Sequence, residues 1–302
     1  MKLTNIVFTR NRPLQLEAYL RSFHRFYPEG AFNTIILHRV DLFGEQYEEL
    51  FRTFRGCRVI REDDFNRDFL QILSGVETEY VNFGTDDVVY FDSVDLDIVE
   101  STFKTFENSI FGFSLRMSPE SISGTRIRSH RIDDREVYSV NWKTAKDKTA
   151  RYPFELNGTI YRTKLVGEIV SHICSDKVAL RKIFAENSPL TRIMNKIFPM
   201  KSFLLLLNAF RNPNSLEGYG YRWVKTHRRR YPSELFFHGL CCSAIQVNIV
   251  NTIVNNPIDG GEAYTVESLN REFKRGHRFD VDFMIRNKPQ ETHVGKEFFR
   301  LT

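Results

Sequence analysis

Two stretches, LTNIVFTRNRP at residues 3–13 and EYVNFGTDD at residues 79–87, decide the fold. Leu3 to Phe8 reads as a buried strand, and Pro13 then opens a helix with Leu16, Tyr19, Leu20 and Phe23 on one face. Tyr80 to Phe83 reads as another strand that runs straight into Asp86-Asp87. Between the two stretches the periodicity keeps switching. Thr34 to Leu37 predicts a strand, Gly44 to Phe54 a helix and Arg58 to Ile60 a short strand. Asp63 or Asp64 then caps a helix with Phe65, Phe69, Ile72 and Leu73 inward. Strand and helix in alternation predict an α/β fold, a Rossmann-type, mostly parallel sheet with crossover helices on its faces. Ligands bind such sheets at the carboxyl ends of the strands. Thr9-Arg10-Asn11-Arg12 and Asp86-Asp87 both fall there.

Farther along, Ile110 to Arg116, Val137 to Trp142, Gly158 to Tyr161 and Ala244 to Val250 read as strands. Arg126 to Asp134 reads as a polar loop. Helices are expected over Ser171 to Phe210, from Pro213 through Glu217 and Trp223, and as a terminal element from Tyr264 to Arg275 that stops at Gly276. No repeat or low-complexity linker interrupts the chain. One domain over residues 1–302, with a helical insertion at about 171–211, is therefore expected rather than two.

Composition narrows the function classes. The 302 residues, 41% hydrophobic and 27% charged, bury about three quarters of the unfolded surface and exclude wholesale disorder. The net charge of +5 is too mild for a dedicated nucleic-acid binder but suits an anionic small ligand or an anionic membrane surface. Cys57, Cys174, Cys241 and Cys242 form no C-x-x-C pair, so reduced thiols in a cytoplasmic protein are expected. The run IFPMKSFLLLLNAF at 197–210 is too short to span a bilayer. With Arg181, Lys182, Arg192, Lys196, Lys201 and Arg211 around it, the segment from Leu180 to Arg211 suits peripheral docking on the inner membrane face, or burial as a core or dimer helix.

Adjacent carboxylates at a strand end repel each other and lose hydration unless a cation or donors satisfy them. At Asp86-Asp87 a hard divalent ion shared with diphosphate oxygens would do so, and so would an ordinary turn or helix cap.

Beyond this, IVFTRNRPLQLEAYLRSF at 6–23 and EYVNFGTDDVVYF at 79–91 resemble the opening and the metal motif of GT-A glycosyltransferases. More narrowly they resemble bacterial family-2-like enzymes of surface-polysaccharide gene clusters. FGFSLRM at 111–117, YPFELNGTIYR at 152–162, NPNSLEG at 212–218 and YTVESLNREFKRG at 264–276 extend the similarity along the chain. The resemblance implies a GT-A-like fold with a nucleotide-sugar-binding half at 1–110 and an acceptor-side half at 111–302. It implies a UDP- or GDP-sugar donor, a glycan or lipid-linked acceptor, and Mn2+ or Mg2+. The usual Asp-x-Asp is Thr85-Asp86-Asp87 here, which makes Asp87 the expected metal ligand and Asp86 a partner of the ribose or of an arginine. Thr9, Arg10, Asn11 and Arg12 become candidates for base and diphosphate contacts, since arginine offers forked donors to phosphate. Glu217 is the candidate base for an inverting transfer. Asn157 and Arg116 are candidates on the acceptor side. Asn157 stands where the resembling proteins often carry an acid, and an amide is no base. His293, in the polar C-terminal tail QETHVG at 290–295, is a candidate late histidine on the metal. The altered triplet also fits a catalytically silent binding protein on the same fold. The runs Arg126 to Arg131 and His227 to Arg230 keep an RNA-binding reading open, although aromatics are not interleaved there.

Overall fold

In the computed structural model, which describes residues 1–183, 211–226, 231–248 and 261–302, strand β1 (Leu3–Arg10) is buried along all but its last residue. The cause is a layer of helices on each side of the sheet, which makes the strand read as a nearly continuous apolar run. Leu3 and Val7 face one core, with α1 (Pro13–Phe26) and α4 (Leu96–Thr105). Ile6 and Phe8 face the other, with α3 (Phe65–Ser74), α5 (Thr163–Ile183) and α6 (Pro213–Thr226). Asn5, buried in the middle of β1, is satisfied there: the Tyr19 hydroxyl and Asn82 Nδ2 both donate to its Oδ1 at 2.9 Å.

The main sheet also contains β2 (Phe32–Arg39), β3 (Arg58–Arg61), β4 (Tyr80–Thr85), β6 (Ile110–Ser114), β7 (Ile127–Ile132), β8 (Arg135–Asn141), β9 (Thr159–Arg162) and β10 (Ser233–Phe236). Its order is β3-β2-β1-β4-β9-β6-β10-β8-β7. Strands β3, β2, β1 and β4 are parallel, and β6 is parallel to β10, whereas β9 runs against both β4 and β6. The expected α/β class with a mostly parallel sheet and flanking helices is the one observed. Close packing of α1 on the sheet explains Gly84 on β4, where a Cβ would come within 2.2 Å of the Tyr19 hydroxyl oxygen.

After Asp87 the chain leaves the main sheet. Strand β5 (Val88–Tyr90) pairs with β11 (Cys242–Ile245), which pairs with β12 (His293–Val294). In register, Val88 lies opposite Ala244 and Ala244 opposite His293. This small sheet carries the C-terminal chain back to the end of β4.

Several expectations are corrected. Arg126 to Asp134 is not a loop: it contains β7, an edge strand paired antiparallel with β8, and Asp133 takes the positive φ of 49° at the turn. An edge strand with only Ile132 buried has too few inward residues to show an apolar alternation. The helix that ends before Gly276, α7 (Val266–Lys274), is not terminal, because α8 (Val281–Asn287) and β12 follow it. The His293 segment is therefore a strand and not a tail. The apolar run at 197–210 and the basic run at 227–230 lie outside the described residues. Among the described residues no helix is long and apolar enough to cross a membrane.

Candidate functional site

The loop after β1 is organised by a residue in the left-handed region. Asn11 has φ 53°, which asparagine tolerates better than most side chains, and its Oδ1 accepts from the backbone N–H groups of Asp41 and Leu42, both at 3.0 Å. Thus the β1 and β2 loops are tied together. Arg10 Nε donates to Asp41 Oδ2 at 2.9 Å, and Arg39 lies 3.4 Å from the other oxygen. Desolvation opposes these two guanidinium groups, which nonetheless hold the Asp41 carboxyl below its ordinary range.

Arg12 sits one residue before the first turn of α1, and its side chain turns inward. It donates through Nη2 to Asp86 Oδ1, approaches Asp87 Oδ2 to 3.6 Å through Nη1, and donates from Nη1 to the Asn248 carbonyl at 3.3 Å. Asp86 is buried, and its second oxygen accepts from the Thr9 hydroxyl at 2.8 Å. Tyr47 completes the cluster: its hydroxyl lies 2.7 Å from Thr9 Oγ1 and accepts from the Arg12 N–H at 2.9 Å. Burial pushes the Asp86 carboxyl up to about 6, with Arg12 pulling the other way and Asp87 adding to the rise.

Asp87 differs from its neighbour. It remains partly exposed, and its backbone is fixed by the Ile245 N–H, which donates to its carbonyl at 2.8 Å. Thr85 Oγ1 lies 2.5 Å from Asp87 Oδ1 and also contacts the Asn157 side-chain amide. Of the sequence-predicted residues, Thr9, Arg12, Asp86, Asp87 and Asn157 therefore meet in one network. Arg10 and Asn11 border it, committed to Asp41 and the β2 loop.

Glu217, on the second turn of α6, joins from the other side. It is half-buried and accepts from the Leu156 N–H at 3.0 Å, one residue before Asn157. Burial raises its carboxyl to about 7 against that hydrogen bond, with nearby Glu155 adding to the rise and Arg116 and the Tyr152 hydroxyl opposing it. Arg116 is buried rather than open to a ligand: it is 4% exposed and pairs with buried Glu155 at 2.6 Å. His293 retains an accessible edge, while burial and the Arg116 charge lower its pKa to about 4, Asp87 acting in the opposite direction.

The residues available to a cation are few. Asp86 is spoken for by Arg12 and Thr9, leaving Asp87 with His293 in its electrostatic reach. Among the described residues no three His, Cys, Asp or Glu side chains gather as a cage. Mg2+ and Mn2+ take much of their coordination from phosphate oxygens and water, so one carboxylate and one imidazole fit a cation shared with a diphosphate. Tyr47, Asp41, Asn248 and Tyr152 escaped sequence reading. Asp41 follows a predicted strand, so the strand-end rule could have found it; no local pattern marks the others.

No family model matches the chain, and no curated protein does. Solved structures similar to it include S. aureus TarS, at 17% identity and a TM-score of 0.41 over 56% of this chain and 30% of that one. A shorter TarS, residues 1–349 in complex with UDP-GlcNAc, gives 17% identity and a TM-score of 0.41, with 56% of this chain and 47% of that one covered. The mannosyltransferase PcManGT from Pyrobaculum calidifontis, in complex with GDP-Man and Mn2+, gives 14% identity and a TM-score of 0.30 over 39% of this chain and 36% of that one. The chain spans less than half the length of each of these neighbours.

Proposed function

We propose that the chain is a glycosyltransferase that moves a sugar from a UDP- or GDP-linked donor to a glycan or lipid-linked acceptor in bacterial surface-polysaccharide synthesis. One observation carries this reading: two adjacent carboxylates at the end of β4 do different work. Asp86 is buried against Arg12 and Thr9, whereas Asp87 stays partly exposed. A buried, arginine-paired aspartate fixes the strand end and the first loop, and its partly exposed neighbour is the one a ligand can reach. That is the division expected where Asp87 occupies the metal position of the resembling motif.

Asp87, with His293 beside it, would hold Mg2+ or Mn2+. Bound there, the cation would neutralise charge on the diphosphate leaving group. Arg10 and the β1 and β2 loops flank the nucleotide. Glu217 acts as the base: raised to about 7, it is ionised for part of its population at neutral pH and accepts a proton readily. The acceptor hydroxyl gives its proton to a Glu217 carboxylate oxygen. Its oxygen then bonds to the anomeric carbon, and the bond from that carbon to the diphosphate oxygen breaks with its electron pair on the phosphate. Arg116 and Glu155 hold the 155–158 segment that carries Asn157 toward the acceptor side. The segment from Leu180 to Arg211, with its apolar run and basic rim, would bring the cleft to a cytoplasmic membrane surface.

Calorimetry with UDP and with GDP, each with and without Mn2+, tests the reading. At least one nucleotide should bind in a Mn2+-dependent way, and Asp87→Asn should weaken that binding at least about tenfold, or ~1.4 kcal/mol. Affinity equal in wild type and variant would remove Asp87 from the site. Absence of binding by both nucleotides in wild type would overturn the function.

A further inference from the structure

Thr85 Oγ1 touches two oxygens that could each accept its hydrogen: Asp87 Oδ1, at 2.5 Å, and that of the Asn157 amide. A hydroxyl owns one hydrogen. If Thr85 gave it to Asn157, a hydroxyl lone pair would face a carboxylate oxygen at hydrogen-bond distance. Charge assistance favours the other assignment, in which Thr85 donates to Asp87. The atom of Asn157 that faces Thr85 must then be a donor, and a half-turn of the amide about χ2 supplies Nδ2 there.

We propose that Asn157 Nδ2 donates to Thr85 Oγ1 and Thr85 donates onward to Asp87 Oδ1. The two residues are positioning residues that fix one oxygen of Asp87 and leave Oδ2 to face Arg12 and a bound cation. The cation part of this statement rests on the proposed function; the direction of the relay does not. The frame around the relay is rigid. Gly158 N–H donates to the Phe83 carbonyl at 2.8 Å, and Gly158 holds φ 71°, where a Cβ would come within 2.6 Å of Cys242 Sγ. Asp87 is fixed from the other side by Ile245. The relay also accounts for two departures from the resembling motif together. A carboxylate at 157 would compete with Asp87 for the single Thr85 hydrogen, so the amide there and the hydroxyl at 85 belong to one arrangement.

Two measurements test it on the full chain. The first is the side-chain amide signal of Asn157 in 15N-labelled protein without ligand, assigned by its loss in Asn157→Leu. It should move in Thr85→Val, which removes the hydroxyl at nearly constant shape, and return toward wild type in Thr85→Ser. A signal indifferent to Thr85→Val overturns the relay whether or not any nucleotide binds. The second is Mn2+-dependent affinity for UDP or GDP. Thr85→Val and Asn157→Leu should each weaken it about three- to tenfold, Thr85→Ser by less than about twofold, and the double variant no more than the worse single one. Multiplying effects would mean that the two residues act separately and would also overturn the relay. If wild type binds neither nucleotide, the functional reading fails, while the amide signal still decides the relay.

Discussion

Two buried arginine–carboxylate pairs stand out among the described residues, Arg12 with Asp86 and Arg116 with Glu155, and they are partnered differently. Arg12 spreads its donors over Asp86 and the Asn248 carbonyl and keeps Asp87 within 3.6 Å, while Asp86 also accepts from Thr9. Arg116 meets Glu155 through Nη2 alone; its Nε and Nη1, and Oε2 of nearby buried Glu234, find no hydrogen-bond partner among the described residues. Burial pushes the Glu234 carboxyl well up, with Glu155 adding to the rise and Arg116 opposing it. The first pair lies at the end of β4, next to a carboxylate that stays partly exposed. The second is buried and ties Arg116 to the segment that carries Asn157. Chemically similar pairs thus differ in what surrounds them.

The largest effect expected from this contrast is on stability. Arg116→Met strands Glu155 without its counter-charge and should cost about 3–5 kcal/mol in urea unfolding, largely recovered when Glu155→Gln is added. Arg12→Met should cost less, since the Arg12 side chain is the less buried of the two arginines and Asp86 keeps two other donors, the Thr9 hydroxyl and the Arg10 N–H. The same Arg12 change should weaken nucleotide binding more than the Arg116 change does. The reverse order in either measurement breaks the contrast.

Glu217 lies near the second pair, bonded to Leu156 and within the field of Glu155 and Arg116. Glu217→Gln should lower transfer turnover by about 10²- to 10⁴-fold with donor affinity nearly unchanged. In wild type, turnover should rise with pH as the carboxyl ionises near its raised value of about 7. Turnover within about threefold of wild type would assign Glu217 to the scaffold.

A smaller effect sharpens the same assignment. The Glu217 carboxyl is raised from 4.5 to about 7 on folding, so the native state binds more protons than the unfolded one between those values. Stability therefore falls as pH rises through that window and is level below and above it. The loss attributable to this group is at most about 3 kcal/mol. Glu217→Gln, which keeps an acceptor for the Leu156 N–H, should flatten that part of the stability profile. An unchanged slope between pH 4.5 and 7 would show that the carboxyl is better solvated than its packing implies.

Reading the sequence placed the first half of the fold closely. Asp64 was one of two candidate caps, and it accepts from the Arg67 N–H at 2.8 Å to start α3. The strand ends carrying Arg12 and Asp86 were legible for the same reason: strongly periodic neighbours bracket them. The β7 edge strand was not, because an exposed strand has no buried face to repeat. His293 is legible as a candidate, but its segment reads as a tail, since a two-residue strand leaves no periodic signal.

What the sequence by itself determined is the alternation of strands and helices, the location of the loops at strand ends and the residue types gathered there. Those follow from local periodicity and capping, which act over a few residues. Which carboxylate is buried and which stays partly exposed was decided only by the tertiary structure. Asp86 and Asp87 are chemically equal neighbours until β1 delivers Thr9 and Arg12 to one of them and β11 holds the backbone of the other. The same holds for Asn157, Thr85 and Glu217, which come together because β9 inserts between β4 and β6 and α6 packs against the strand end. Their distances depend on pairings between distant segments, and such pairings leave no mark on the residues nearby.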